Sequence, residues 1–103
     1  MATIKGFKAW LDTMPGSDKA LTVIGSVEVP TSGWTGSLAE AVPPGINPAI
    51  LILDATLTKP TGIVLQVIST VELTFRKAHS PRYDSITIRG LGSDIHVPVE
   101  IVS

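Results

Sequence analysis

The stretch VLQVISTVELTF, Val64–Phe75, alternates apolar and polar side chains along most of its length. A spacing of two residues is typical of a β-strand that has one buried and one exposed face. The polar residues Glu72 and Thr74 fall on one side of this strand and are expected to face water. We therefore predict a strand here, whose core face consists of Leu65, Val67, Val71, Leu73 and Phe75.

Turn-forming clusters divide the rest of the chain into segments of strand length. Each cluster contains Gly, Pro, Asn or Asp, the residues that tight turns require. Seven segments lie between the clusters, and regular short strands at this spacing are typical of a sandwich or a small barrel. We predict an all-β, single-domain antiparallel β-sandwich of about seven strands that occupies residues 1–103. The clearest further alternation is in ALTVIGSVEV (20–29), YDSITIRG (83–90) and DIHVPVEIV (94–102).

The longest apolar run, AILIL at 49–53, is interpreted as a strand that is covered on both faces. It is far shorter than the about 20 apolar residues that a membrane-spanning helix needs. In a two-layer sandwich only one face of a strand is internal, so a flanking loop or another subunit must cover the outer side chains. If this strand pairs with the strand of 64–75, the outer apolar residues form a patch of a few hundred Å², the size of an interface. This candidate interface consists of Ile50, Ile52, Val64 and Ile68.

Three places depart from simple alternation. The apolar residues of the first segment change face at Gly6, which predicts a bulge or bend there. The segment 33–44, GWTGSLAEAVPP, fits a strand, although Ser37 and Glu40 have the spacing of a helical capping box. The strand is the favoured interpretation. Pro98 cannot donate a ladder hydrogen bond, so the last strand is expected to be an edge or to bulge at that residue.

Composition excludes several classes of function. The chain has no cysteine, which excludes disulfides and thiolate metal sites. Eight basic and nine acidic residues give a net charge of −1, so we expect neither a nucleic-acid nor a membrane partner. Only 17% of the residues are charged, against about 25% in ordinary domains, which predicts a partly apolar surface. The N-terminal residues do not resemble a signal peptide, so a cytoplasmic location is expected.

The densest polar cluster is RKAHSPRYD at 76–84. Four cationic or potentially cationic side chains on one loop are able to bind a phosphate, a carboxylate or an acidic segment of a partner. The simpler interpretation is a solvated turn between two strands, and we favour it because one short basic run is weak evidence. The residues of this candidate anion or partner loop are Arg76, Lys77, His79 and Arg82.

The sequence shows no complete catalytic, cofactor or metal motif. Asp94 and His96 lie two residues apart, hence on one face of a strand, where a carboxylate is able to orient a histidine. No nucleophile in a recognisable setting accompanies them, and the second histidine falls in another loop. We interpret the pair as surface neighbours and expect no enzyme activity, no cofactor and no metal.

Seven strands in about a hundred residues resemble an immunoglobulin-like or fibronectin-III-like sandwich, although the paired cysteines of antibody domains are absent. The resemblance covers the whole chain and concerns architecture, with Tyr83 at the position of a tyrosine corner. We expect a non-catalytic interaction or structural module that binds a protein partner or forms a homodimer through its apolar sheet face. The alternative is a β-sandwich that binds a small ligand or carbohydrate, with Trp10 or Trp34 at the wall of the site.

Overall fold

The computed structural model describes residues 3–16, 18–41, 47 and 49–102. Within these ranges the chain is all β, and it contains no helix, hence none that is long and apolar enough to cross a membrane. The predicted number of strands is confirmed, and the ambiguous segment at 33–44 provides a strand. The strands are β1 (Thr3–Asp12), β2 (Leu21–Val29), β3 (Thr35–Glu40), β4 (Ile50–Thr58), β5 (Ser69–Lys77), β6 (Ser85–Arg89) and β7 (Ile95–Val102).

The seven strands form one mixed sheet in the order β3-β4-β6-β7-β1-β2-β5. The predicted antiparallel sandwich is not confirmed, because β4 pairs with β6, and β1 with β7, in parallel. The immunoglobulin-like or fibronectin-III-like assignment is not confirmed either. Parallel neighbours need a crossover connection, and strand alternation alone does not show which segments are joined in this way.

The last strand, β7, joins the two halves of the sheet. Its first half, Ile95 to Pro98, pairs with β6, and its second half, Val99 to Val102, pairs with β1. The change of partner falls at Pro98, the residue that has no N–H to donate. The sequence predicted an edge or a bulge at Pro98, and the structure shows instead the point where β7 passes from one neighbour to the other.

The sheet curls until its two end strands, β3 and β5, face each other, so that the molecule is nearly barrel-shaped. Side chains join these strands: a methyl group built on Gly36 of β3 would lie 2.4 Å from Leu73 Cδ2 and 3.0 Å from Val71 Cγ1 of β5. Among the described residues, no backbone ladder connects the two strands. We call this junction of Gly36, Val71 and Leu73 the β3–β5 seam.

The core lies inside the curled sheet and follows the predicted alternation. In β4, Leu51, Leu53 and Ala55 are buried, as the strand interpretation of AILIL requires, while Ile50 and Ile52 are half-buried. Every second residue of a strand thus points into the core, and these residues are mostly apolar. The largest side chains with almost no exposure are Leu21, Leu53, Leu73, Ile86, Ile88, Val23, Val27 and Val29.

The first strand confirms the predicted irregularity at Gly6. The pairing of β1 with β2 shifts register between Ile4 and Gly6, as a β-bulge does. Immediately afterwards Phe7 lies opposite Gly25, and its ring fills the space above that glycine: a methyl group on Gly25 would be 2.0 Å from Phe7 Cδ1. Phe7 therefore supplies the apolar cover that Gly25 itself lacks.

One part of the central strand prediction is wrong. β5 begins at Ser69, and the side chains of Leu65 and Val67, which the alternation placed in the core, are 71% and 50% exposed. The reason is the length of the partner strand: Ser69 pairs with Val29, the last residue of β2, and Pro30 follows. Without a neighbouring strand the ladder stops, and the residues before Ser69 remain outside the sheet.

Candidate functional site

The most exposed apolar surface of the described residues lies in the connection between β4 and β5. We call residues 63–68 the apolar segment. Ile63 is fully exposed at 104%, Leu65 at 71%, Val67 at 50% and Ile68 at 69%. Large aliphatic side chains are usually buried, and an exposed group of them typically marks a contact surface.

A short contact with the loop between β2 and β3 holds the apolar segment in place. The N–H of Leu65 donates to Ser32 Oγ at 3.1 Å, and the N–H of Ser32 donates to the carbonyl of Leu65 at 3.1 Å. Gly33, with a φ of 87°, permits close packing, since a methyl group there would be 2.8 Å from Pro60 Cβ and 3.7 Å from Val64 Cγ1. The loop between β2 and β3 therefore holds the apolar segment along one edge, at Leu65.

The remaining backbone groups of the apolar segment form few hydrogen bonds within the described part of the chain. Within the described part of the chain, Val64, Gln66 and Ile68 make no backbone hydrogen bond, while the Val67 carbonyl accepts one from Ser69 Oγ at 3.1 Å. These groups depend on water or on a binding partner. The segment thus offers free peptide groups together with exposed apolar side chains.

The apolar segment is also free of charge. Between Lys59 and Glu72 the sequence contains no ionisable side chain. Natural proteins commonly protect an exposed strand-like edge with charges or proline, and residues 63–68 contain neither. A second apolar surface is therefore able to approach this segment without removing a charge from water.

The interface predicted from the sequence is divided by the fold. β4 pairs with β3 and β6, so the pairing with the strand of 64–75 that would join the four residues does not form. Ile50 and Ile52 lie opposite Ser85 and Thr87. Val64 packs beside Gly33, in the loop that enters β3 at the Thr58 end of β4, the opposite end from Ile50. Of the four predicted residues, the structure brings Val64 and Ile68 together in the apolar segment.

The predicted basic loop is largely tied to acidic groups. Arg76 forms an ion pair with Asp18, and Lys77 Nζ lies 2.7 Å from Glu40 Oε1 and 5.9 Å from the centre of the Tyr83 ring. The Arg76 hydrogen bond lowers the pKa of Asp18, and the hydrogen bond to Glu40 raises the pKa of Lys77. These contacts compensate two of the cations in the predicted cluster.

The other two members of the basic loop, His79 and Arg82, are exposed. Two backbone hydrogen bonds fix the loop itself: the N–H of His79 donates to the Asp18 carbonyl at 2.9 Å, and that of Ser80 to the Lys19 carbonyl at 3.1 Å. The loop is thus an ordered turn that packs on the connection between β1 and β2. Binding of an anion or a partner by this loop stays a prediction.

The pair Asp94 and His96 is exposed at the start of β7. His96 lies opposite Thr87 of β6, and Thr87 Oγ1 is 3.1 Å from His96 Nδ1. One ring nitrogen of His96, Nδ1, is therefore in contact with a cross-strand neighbour. A group of three or more His, Asp or Glu side chains that could hold a metal ion does not occur among the residues that the structure describes.

A shallow groove of about 380 Å³ crosses β1, β2 and β5. It lies over the row of Phe7, Gly25 and Leu73, and Lys8 and Glu72 stand at its walls. The two tryptophans lie elsewhere. Trp34 packs on the core and donates from Nε1 to Thr31 Oγ1 at 2.9 Å, and Trp10 lines a smaller depression of about 110 Å³.

The sequence contained part of the signal for the apolar segment. It identified Val64 and Ile68 as outward-facing, but it placed Leu65 and Val67 in the core and did not identify Ile63. A useful signal was the turn-forming run PTSG at 30–33, since it ends β2, the strand that pairs with β5. Using it requires the register between β2 and β5, which the sequence does not provide.

Comparison with known proteins adds no relative: no protein-family model, curated protein or solved structure matches this chain.

Proposed function

We propose that this chain is a non-catalytic interaction module that self-associates through the apolar segment 63–68. The observation that carries the proposal is the exposure of Ile63, Leu65, Val67 and Ile68 next to one another, with no charge among them. An exposed uncharged aliphatic surface raises the free energy of the protein in water, and this free energy falls when another apolar surface covers it. No residue of the segment offers the acid–base chemistry that a reaction needs.

The size of the surface suits a contact between two small proteins. The four exposed residues present roughly 500 Å² of largely apolar surface, near the top of the range of about 300–600 Å² for the largest patch on a monomer. Complete coverage of these residues in both copies would bury at most roughly 1,000 Å², about the lower limit for a specific interface. Neighbouring residues would add to this area.

The chemistry of the segment favours protein over an anionic partner. Binding to nucleic acid or to acidic lipid needs clustered Lys and Arg. The nearest cation in sequence, Lys59, stands alone, and the basic residues Arg76 and Lys77 are paired with Asp18 and Glu40. A second copy supplies an identical uncharged apolar surface, so it matches the segment in both chemistry and size.

The test is the molar mass in solution. It is measured by light scattering at protein concentrations from about 1 to about 200 µM, the range in which a dimer of micromolar affinity dissociates. We expect the wild type to form a dimer and Ile68→Glu to be a monomer with unchanged circular dichroism, because Ile68 is 69% exposed and tolerates a charge. Ile101→Glu, at an exposed position of β7 (39%), is the matched control and should remain a dimer. A wild type that is monomeric throughout would refute the proposal.

A second candidate function is the binding of a small ligand in the groove over Gly25. Its volume of about 380 Å³ lies within the range of about 300–1,000 Å³ for ligand sites. The depression beside Trp10, at about 110 Å³, is below that range. A ligand of the groove should raise the melting temperature of the wild type and should lose this effect in Glu72→Ala. A panel of small ligands that leaves the melting temperature unchanged would count against this candidate.

A further inference from the structure

The apolar segment has the composition of a β-strand but lacks a strand beside it. Four of its six residues, Ile63, Val64, Val67 and Ile68, are β-branched, which favours extended backbone. β5 starts only at Ser69 because β2 ends at Val29. Local preference and the observed pairing therefore disagree at this segment, and a neighbouring strand from outside the chain would remove the disagreement.

We propose that the apolar segment pairs with the same segment of a second copy as two antiparallel strands, related by a twofold axis at Gln66. This inference rests on the proposed function, since it names the partner and the way in which the two chains bind. The added pairing extends β5 toward its N-terminal side and joins the sheets of the two copies. Addition of a strand at an exposed edge is a common mode of recognition.

The existing hydrogen bonds show which edge of the segment is free. Both the N–H and the carbonyl of Leu65 bond to Ser32, so the peptide groups of Leu65 face the loop between β2 and β3. In extended backbone the peptide groups of successive residues face opposite edges of the strand. With the segment extended as proposed, those of Val64, Gln66 and Ile68 face away from the loop; they make no backbone hydrogen bond in the described chain.

Twofold symmetry then restricts the register. The twofold axis that relates two identical antiparallel strands is perpendicular to the sheet. Two residues that lie opposite each other point to the same face, so one residue at the axis must lie opposite the same residue of the other copy. Centring the axis on Gln66 places each free residue opposite another free residue: Gln66 faces its own copy, and Val64 faces Ile68. Three such pairs would exchange about six backbone hydrogen bonds.

The side chains suit this register. Leu65 would lie opposite Val67, and Val64 opposite Ile68, so that every apolar residue meets an apolar residue across the axis. The two Gln66 side chains meet at the centre, where each amide is able to donate to and accept from the other. No like charges oppose each other, because residues 60–71 contain none.

The absence of cysteine from the chain permits a direct test by cross-linking. In a hydrogen-bonded antiparallel pair the two Cα atoms are about 5.5 Å apart, within the range of about 4.4–6.8 Å that a disulfide spans. Under mild oxidation Gln66→Cys should form a covalent dimer at least about tenfold faster than Thr56→Cys. Thr56 is an exposed residue on β4 and serves as the matched control for random collision.

Charge variants test the axis by a second, independent measurement. Gln66→Lys and Gln66→Glu place like charges opposite each other in the homodimer, so each variant alone should be a monomer. An equimolar mixture should form a heterodimer. Monomers in the mixture would contradict an axis at Gln66.

The outcomes separate this inference from the proposed function. A wild-type dimer in which Gln66→Cys cross-links no faster than Thr56→Cys would overturn the strand pairing and leave self-association intact. A monomeric wild type would overturn both. A monomer that instead sediments with phosphatidylcholine vesicles would assign the apolar segment to a lipid surface and would likewise overturn both.

Discussion

Substitution of Gly36 by alanine tests whether the sheet closes at the β3–β5 seam. The added methyl group would lie 2.4 Å from Leu73 Cδ2, 3.0 Å from Val71 Cγ1 and 3.1 Å from Leu57 Cδ2. Ordinary carbon contacts are about 3.5–4.0 Å, so the Leu73 methyl group must move by more than about 1 Å. Leu73 is only 1% exposed and has little space into which to move.

We expect Gly36→Ala to lower the free energy of unfolding by about 1–3 kcal/mol, the usual cost of overpacking a core. For a domain of this size the melting temperature should fall by about 5–15 °C. Denaturant unfolding of the monomeric Ile68→Glu background, followed by circular dichroism, measures the loss without a contribution from association.

A double-mutant cycle assigns the loss to the seam. Leu73→Ala removes the methyl group that Gly36→Ala would meet at 2.4 Å, so adding Gly36→Ala to Leu73→Ala should cost less than half of its cost in the parent. A single Gly36→Ala variant within about 0.5 kcal/mol of the parent would show that β3 and β5 do not pack together. The nearly closed barrel would then be refuted.

Two further predictions concern the ladder and the loop contacts. Leu73→Ala should lower the free energy of unfolding by about 2–5 kcal/mol, because Leu73 is 1% exposed. In the same background Leu65→Ala should lower it by less than about 0.5 kcal/mol, because Leu65 is 71% exposed. Equal losses in denaturant unfolding would contradict the end of β5 at Ser69. Asp18→Asn should reduce stability at neutral pH, since Arg76 holds the pKa of the Asp18 carboxyl below its ordinary value of 3.8. A lowered pKa stabilises the fold above the unfolded value, and this stabilisation is lost as the pH falls through the folded value, so the variant and its parent should converge in acid; a stability difference that is independent of pH would contradict the ion pair.

The strands were predictable because the relevant information is local. Alternation in 20–29 and 94–102 reflects which side chains face the core, and the buried residues Val23, Val27 and Val97 lie on the predicted faces. Gly6 and Pro98 also revealed irregularities, since one lacks a side chain and the other lacks a peptide N–H. Each of these signals depends on a residue's own geometry rather than on its neighbours in space.

The pairing order was not predictable, and the wrong burial assigned to Leu65 follows from this. Whether Leu65 is buried depends on the strand beside it, and β2 ends opposite Ser69. Leu65 has the same local alternation of apolar and polar neighbours as Leu73, yet Leu65 is 71% exposed and Leu73 is 1% exposed. The parallel pairing of β4 with β6 likewise separates Ile52 from Ile68, although both are outward-facing aliphatic residues in the sequence.

The basic loop illustrates the same limit for charges. Arg76 and Lys77 appear in the sequence as an uncompensated cluster with His79 and Arg82. Their partners Asp18 and Glu40 are 58 and 37 residues away in the chain, and only the fold brings them together. A cluster of like charges in the sequence is therefore a weak guide to the electrostatic potential at the surface of a small β-domain.

The molar mass of the wild type on dilution, measured beside Ile68→Glu, tests the central claim most directly. Burial of the apolar segment between two copies predicts a dimer that dissociates as the protein is diluted, and a variant that is monomeric at every concentration with the same circular dichroism spectrum. Identical masses for the two proteins across the series would show that residues 63–68 remain in water, and self-association through the apolar segment would be wrong.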